Sequence, residues 1–240
     1  MKYKAGIKYD GSKFYGFQRL KNEKTVQGEL EKALTKLNKE EVLIKGSGRT
    51  DRGAHAYNQV IHFTLKQNIP EDRLKNAINS IIDKSIYVNY TKVINEDFHS
   101  RFNVKRKTYK YRINMGEYNP IKKDYVYNYC KPLNIKNMKK ASKYLLGYNC
   151  YKAYVSGKRD CYDSAIYNIK FEKEKDELKI YFEGLSFYNH MVRNLVGALI
   201  LVGENKIKPI QLEEMLHSGE NLYFYNTVPA SGLYLVDIEY

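Results

Sequence analysis

Apolar and polar positions alternate with two different periods along the first hundred residues. Residues 2–9 follow the two-residue period of a strand. One helical face is then marked by apolar residues at i, i+4, i+7, i+8 and i+11, namely Val26, Leu30, Ala33, Leu34 and Leu37. Similar patterns predict strands at 42–46, 57–65 and 86–94 and a helix at 71–82, just after Pro70. The predicted order is β-α-β-β-α-β.

The second half of the chain repeats this order. Its patterns predict strands at 107–115, 166–172, 178–185 and 233–240, and helices at 135–146 and 189–202. We therefore expect an α+β protein of two similar ferredoxin-like units side by side, an N-terminal unit over 1–105 and a C-terminal unit over 106–240. Such a pair forms one long sheet with helices on one face, which leaves the other face or a central cleft for a ligand. The aperiodic segments 116–132 and 147–163 are predicted as long loops.

The charge balance narrows the class of partner. The 240 residues include 41 Lys and Arg against 27 Asp and Glu, a net charge of +14, and the basic residues recur along the whole chain. Polyanions are the natural partners of such a protein, although codon bias in an A·T-rich genome also enriches Lys. Three cysteines without metal or disulfide spacing indicate a reducing compartment. With no apolar signal core and no run long enough to span a bilayer, we expect a soluble cytoplasmic protein without membrane contact.

The segment 48–56 carries the first candidate for chemistry. It reads Gly-Arg-Thr-Asp-Arg-Gly-Ala-His-Ala and places Asp51 between Arg49 and Arg52 in a turn flanked by Gly48 and Gly53. Nearby cations favour the negative form of a carboxylate, and glycines allow tight backbone conformations close to a ligand. We therefore predict that Asp51 is catalytic. A surface turn with two solvated arginines is the alternative.

A lone arginine stands in the most apolar predicted helix. Arg193 follows His190 in a segment that is apolar on nearly every side beyond its first turn. A buried guanidinium requires a partner, since unpaired desolvation costs several kcal/mol. Asp51 is the carboxylate that we expect to meet it. The alternative is that Arg193 extends from the first turn into solvent.

The segment 98–112 mixes six basic residues with four aromatic ones. Cations neutralise phosphates and aromatic faces stack on unpaired bases, so this composition is typical of RNA-binding segments. The alternation of Tyr109, Tyr111 and Ile113 also fits a half-buried strand with a basic face. The two interpretations are compatible.

Metal and nucleotide sites are not indicated. His55 and His62 lie near Asp51 in the sequence, but no HExxH spacing accompanies them. The turn at 9–18 matches neither a phosphate-binding loop nor a dinucleotide fingerprint. We therefore predict no metal and no cofactor, with a metal-dependent hydrolase that uses Asp51, His55 and His62 as a rival hypothesis.

Five motifs occur in the order of one known family. They are 9–18, 48–56, 98–111, 190–194 and 232–235, and through them the chain resembles the TruA family of tRNA pseudouridine synthases. The resemblance runs nearly end to end. It implies the pseudouridine synthase fold with a central basic cleft, a homodimer, and isomerisation of uridine to pseudouridine at positions 38 to 40 of the tRNA anticodon arm without a cofactor.

The same resemblance implies roles for individual residues. Asp51 is the nucleophile and Arg193 its salt-bridge partner. Tyr109 contacts the target base, Arg49 helps to extrude that base, and Thr50 joins the substrate-binding group. Two further hypotheses stay open: a member of the family that acts on another RNA such as ribosomal RNA, and a non-catalytic RNA-binding protein.

Overall fold

The computed structural model describes residues 1–240 as a mixed α+β protein. Its strands are β1 (Lys2–Tyr9), β2 (Lys45–Gly46), β3 (His55–Thr64), β4 (Ile86–Val93), β5 (Arg106–Asn114), β6 (Tyr127–Asn128), β7 (Gly147–Cys150), β8 (Asp163–Glu174), β9 (Glu177–Gly184) and β10 (Leu233–Glu239). Its helices are α1 (Val26–Asn38), α2 (Glu71–Ile81), α3 (Ile135–Ser142), α4 (Met191–Gly203) and α5 (Gln211–Ser218). Residues 1–105 and 234–240 form one compact unit, and residues 106–233 form another.

The first unit has the expected β-α-β-β-α-β order. β1 pairs antiparallel with β3 on one side and with β4 on the other, and β2 extends the sheet beyond β3. Alternate residues of β1 (Tyr3, Ala5 and Ile7) are fully buried, while Lys4 and Lys8 point to the opposite face. The buried faces of α1 and α2 complete the core on the apolar side. These two lysines therefore lie on the face opposite the core.

β2 is much shorter than the strand predicted at 42–46. The amide of Val42 donates to the hydroxyl of Thr35 (3.0 Å), and the amide of Ile44 donates to the carboxylate of Glu31 (3.1 Å). Both acceptors are side chains of α1. Because these backbone groups bond to helix side chains, they do not join the ladder, and the strand is reduced to two residues.

The second unit is built on the antiparallel strands β5, β9 and β8, with β7 along the outer edge of β8. β6 pairs in parallel with the end of β5. Tyr109, Tyr111 and Ile113 alternate as the sequence predicts and are buried in β5. The apolar helix α4 is almost entirely buried. No helix of the protein has the length and apolar composition needed to cross a membrane.

Three elements of the second half were not predicted. β6 lies in the supposed loop 116–132 and β7 in the supposed loop 147–163, where Tyr151 and Tyr154 are fully buried. α5 buries Leu212, Met215 and Leu216, which have helical spacing and precede Gly219, a residue with φ +70°. Each element is short, so each offers few periods from which to predict it.

The expectation for the last strand is wrong in one respect. Residues 233–240 were expected in the C-terminal unit, but from Tyr234 onward they pack with the first. β10 runs parallel to β3, with Tyr234 opposite His55 and Leu235 opposite Ala56. A sequence pattern shows that a segment is a strand and not which neighbour it pairs with. The basic cleft and the side-by-side arrangement of the units stay predictions.

Candidate active site

Asp51 lies in the irregular turn between β2 and β3. It is half-buried, with the exposed Arg49 and the buried Thr50 just before it. The amide of Ala54 donates to the carbonyl of Asp51 (3.1 Å), which closes the turn. Gly53 has φ +84°, so this glycine supplies the conformation that the sequence analysis expected. Asp51 thus stands at the first position of a tight turn.

Thr50 anchors this turn from beneath. Its hydroxyl is 2.8 Å from the hydroxyl of Tyr9, and its carbonyl accepts the amide of Phe17 (3.2 Å). Burial raises the pKa of the Tyr9 phenol well above its usual range, so Tyr9 is neutral and acts as a hydrogen-bonding support. The role of Thr50 in substrate binding stays a prediction. Its contacts give it a positioning role next to Asp51.

The segment 10–17 packs closely against the same turn at Gly11 and Gly16. Gly16 has φ +91°, and a Cβ atom there would lie 3.1 Å from the carbonyl oxygen of Thr50 and 3.3 Å from the amide of Arg52. At Gly11 a Cβ atom would lie 1.8 Å from the carbonyl oxygen of Ala54. Glycine is therefore required where this backbone meets the turn. The motif at 9–18 did not reveal this supporting role in the sequence.

His55 fixes the far end of the turn. Its Nδ1 accepts the amide of Gly11 (3.1 Å) and lies 3.4 Å from the carboxylate of Asp10, and its ring stacks on Tyr234 (4.6 Å between centroids). The protein has no group of three histidine, cysteine or acidic side chains arranged to hold a metal ion. The hydrolase hypothesis therefore gains no support from this histidine. His55 is a structural residue at the start of β3.

The two arginines beside Asp51 have different environments. The guanidinium of Arg52 lies over the ring of Tyr15, 4.0 Å from its centroid, which is a cation–π contact. Arg49 is exposed. Its predicted function in base extrusion requires a side chain that can reach the nucleic acid, and its exposure is compatible with that function.

Tyr109 has its own aromatic support in the second unit. It is buried in β5 and packs edge-to-face on Phe187, with 5.1 Å between ring centroids and 73° between planes. Phe187 in turn lies close to Gly184, where a Cβ atom would approach its ring to 3.0 Å. Close packing of this kind restricts the orientation of the Tyr109 ring.

Arg193 lies in the first turn of α4 and is half-buried. Its Nε donates to the carbonyl of Val228 (2.7 Å). The neighbouring Asn194 is buried and donates to the carbonyl of Tyr154 (3.0 Å), and its Oδ1 accepts from the hydroxyl of Thr227 (2.6 Å). These bonds fix the helix start that carries the guanidinium. Pairing of Arg193 with Asp51 stays a prediction.

The segment 156–159 is joined to this helix start. The hydroxyl of Ser156 is 3.1 Å from Nδ1 of His190, which has φ +58° just before α4. Arg159 is exposed and lies over the ring of Tyr188, 4.4 Å from its centroid. The contact of Ser156 with His190 therefore fixes the loop that exposes Arg159, a feature that its sequence did not reveal.

Comparison with known proteins places this protein in a family of isomerases. A family profile described as tRNA pseudouridine synthase matches residues 5–103 and 141–240. The chain belongs to the tRNA pseudouridine synthase family, and the expected pseudouridine synthase fold is confirmed. The matched ranges contain Asp51 and Arg193, while Tyr109 lies between them.

Curated relatives resemble the chain along its whole length. It is 36% identical to tRNA pseudouridine synthase A 1 of Bacillus cereus, over 99% of this chain and 98% of that protein. It is 38% identical to tRNA pseudouridine synthase A of Thermoanaerobacter pseudethanolicus, over 98% and 97%. The enzyme of the same name from Limosilactobacillus reuteri is 34% identical, over 100% and 96%. The similarity thus extends over both units.

Proposed function

We propose that this protein isomerises uridine to pseudouridine in tRNA, at positions 38 to 40 of the anticodon stem-loop, with Asp51 as the nucleophile. The observation that carries the proposal is the setting of Asp51. It stands half-buried in a turn that Tyr9, Phe17 and Gly16 support from behind, within the range that matches the family. A catalytic group held by rigid neighbours meets its substrate with little loss of entropy.

The reaction conserves atoms and electrons, and it requires one carboxylate. Asp51 attacks the uridine at the ribose or at the base, and the bond between C1′ of the ribose and N1 of the base breaks. The detached base turns and rejoins C1′ through C5, and the bond to Asp51 breaks, which restores the carboxylate. The proton on C5 leaves and N1 gains one, so the product is an isomer of the substrate and no redox partner is needed.

The other predicted residues serve the base and the carboxylate. Tyr109, restrained by Phe187, contacts the target base. Arg193, oriented by the carbonyl of Val228, pairs with Asp51. The exposed Arg49 helps to extrude the uridine, and Thr50 holds the turn beside it. Extrusion costs a few kcal/mol, which contacts to phosphates and to the flipped base must offset.

We place this activity in the cytoplasm, in a homodimer. The three cysteines, Cys130, Cys150 and Cys161, are exposed free thiols, which fits a reducing compartment. The homodimer is implied by the family resemblance. Sedimentation of the purified protein at several concentrations tests it, and a monomer at all concentrations would contradict it.

The deciding experiment measures tritium release from tRNA transcribed with 5-tritiated uridine. We expect release from an anticodon arm with uridine at positions 38 to 40, and none when these positions carry cytidine. EDTA in a parallel sample should not change the rate. Release that continues after removal of these three uridines would point to another site or another RNA, and absence of release from any tRNA despite tight binding would favour a non-catalytic binder.

A further inference from the structure

An exposed phenylalanine packs on the first of two histidines that contact each other, at the opposite end of β3 from Asp51. The ring of Phe102 stacks on His99, with 4.3 Å between centroids and 27° between planes. His99 in turn packs edge-on against His62 of β3, at 4.7 Å. We call these three residues the Phe102 platform. Phe102 is 75% exposed, whereas the other aromatic residues of the segment 98–112 are half-buried or buried.

Backbone hydrogen bonds hold the platform in shape. Nδ1 of His62 accepts the amide of Ser100 (3.1 Å), and the Ser100 hydroxyl donates to the carbonyl of Lys45 (2.8 Å). Nδ1 of His99 accepts the amide of Arg101 (3.1 Å), and the amide of Asn103 donates to the carbonyl of His99 (3.1 Å). Phe102 therefore projects from a braced turn. Stacking a ligand on it requires little ordering of the protein.

Three cations, Lys2, Lys45 and Arg101, act on the histidines of the platform. Burial lowers the pKa of His62 to about 4, helped by the charges of His99, Lys2 and Lys45. Burial also lowers the pKa of His99, with Lys2, Lys45 and Arg101 acting in the same direction. Both rings are therefore neutral at pH 7, and the charge at the platform comes from the lysines and Arg101. The guanidinium of Arg101 lies 5.8 Å from the centroid of the Phe102 ring.

A single exposed ring is common on protein surfaces, and what distinguishes Phe102 is its stacking on His99 together with the nearby guanidinium of Arg101. A lipid surface or a protein would be met by a broader apolar patch, whereas here a single ring stands among cations. An unpaired nucleotide offers both matching groups, a flat base for the ring and a phosphate for Lys45 or Arg101. The chemistry of the site thus fits single-stranded RNA.

We propose that the Phe102 platform binds the substrate RNA outside the catalytic turn, with an unpaired base stacked on the exposed face of Phe102 and its phosphate near Lys45 and Arg101. The proposal rests on the proposed function only in taking RNA as the ligand. It adds a second contact at a fixed place, which would help to set the register of the RNA on the first unit.

The absence of tryptophan from the chain provides a direct probe. Phe102→Trp introduces the only indole, and we expect tRNA to quench its fluorescence because a stacked base replaces water on the ring. Phe224→Trp is the matched control, since Phe224 is also highly exposed (84%). Absent quenching at position 102, or equal quenching at both positions, would overturn the proposal.

Binding of the unmodified tRNA to Phe102→Ala gives the second measurement. We expect the Kd at fixed salt to rise roughly tenfold, which corresponds to about 1.4 kcal/mol, and Phe102→Trp to restore it. Turnover at saturating tRNA should stay within about twofold of wild type, because the platform does not touch the reacting base. An unchanged Kd would overturn the proposal, as would a changed sedimentation coefficient, which would assign the platform to a contact between protein chains.

The two proposals fail in different ways. Tritium release with no quenching at position 102 would leave the isomerase in place and remove the platform. Quenching with no tritium release from any tRNA would leave the RNA site in place and remove the reaction.

Discussion

The two ends of β3 carry turns that are built alike and exposed differently. At each end a histidine of β3 accepts a backbone amide through Nδ1 at 3.1 Å: His55 from Gly11 and His62 from Ser100. At the first end, Asp51 is half-buried and its turn is packed against glycines. At the second, Phe102 is 75% exposed.

The two turns are suited to different tasks. A half-buried carboxylate, next to the buried contact of Thr50 with Tyr9, has a restricted position, which reaction chemistry requires. An exposed ring among cations has a wide approach, which favours binding of many bases without discrimination. A hydrogen bond from a backbone amide to histidine Nδ1 can therefore support either a catalytic turn or a binding turn. The side chain that the turn presents, Asp51 or Phe102, determines its function.

Turnover kinetics should distinguish the two ends of β3 most strongly. Asp51→Asn should lower the rate constant of turnover by more than about a thousandfold, because a nucleophile cannot be replaced by its amide. Its affinity for tRNA should be nearly unchanged, since loss of a negative charge does not weaken binding of a polyanion. Single-turnover tritium release and filter binding check the two parts. Asp72→Asn, at a carboxylate that is 95% exposed, is the control, and a large loss of affinity with retained turnover would contradict the assignment.

The next effect tests whether the first turn must be rigid. Gly16→Ala and Gly147→Ala both put a side chain at positive φ, +91° and +97°, but only Gly16 faces the Asp51 turn, and the nearest atom at Gly147 is the side-chain nitrogen of Asn149 at 3.8 Å. Both variants should lose about 1–2 kcal/mol of unfolding free energy. Only Gly16→Ala should also lose turnover, by about tenfold or more, because the turn is displaced. Equal turnover in the two variants would show that this contact has no part in catalysis.

A third prediction concerns the histidine of the second turn. The pKa of His62 is lowered to about 4 in the folded protein, against about 6.5 in an unfolded chain. Between pH 4 and pH 6.5, His62 is protonated in the unfolded state and neutral in the folded state. The free energy of unfolding is therefore highest above pH 6.5 and falls as the pH drops towards 4. We expect a loss of about 2 kcal/mol from this residue.

Urea unfolding at pH 7 and pH 4.5 measures this loss. His62→Asn keeps an acceptor for the amide of Ser100 and has no proton to bind. The stability of this variant relative to wild type should therefore improve at pH 4.5. A constant difference between the two proteins at both pH values would contradict the prediction.

The smallest effect is the salt dependence of binding at the second turn. Arg101→Gln should reduce the slope of log K against log salt by about one, as expected for one lost phosphate contact. Phe102→Leu should weaken binding and leave this slope unchanged, because it removes no charge. Titrations of tRNA at four salt concentrations distinguish the two, and identical slopes for wild type and Arg101→Gln would remove that phosphate contact.

The sequence predicted most of the regular elements, and it predicted the Asp51 turn from its charges and glycines. It did not show what supports that turn. Tyr9 and Thr50 are 41 positions apart, and the fit of Gly16 against Thr50 depends on a contact that no local pattern encodes. β2 was predicted too long for a similar reason, because Glu31 on a helix takes a backbone amide that a strand partner would otherwise accept.

The Phe102 platform was also only partly predictable, because it depends on contacts between residues that are distant in the sequence. Composition marked the segment 98–112 for nucleic acid, but the six cations and four rings looked equivalent. Their burial differs in the folded protein, where Tyr109 and Tyr111 are core residues and Phe102 is exposed. The edge-on contact of His99 with His62, a residue of β3, could be found only in three dimensions.

The parallel pairing of β10 with β3 has a consequence for the timing of synthesis. Tyr234 stacks on His55 next to the Asp51 turn, and Tyr240 packs on Phe98 and donates to the carbonyl of Ser100 beside the second turn. On a ribosome, these residues emerge more than a hundred positions after the strands they complete. A growing chain therefore lacks support at both turns until its last strand is released, and a prematurely terminated product would be impaired at both turns instead of keeping one of them intact.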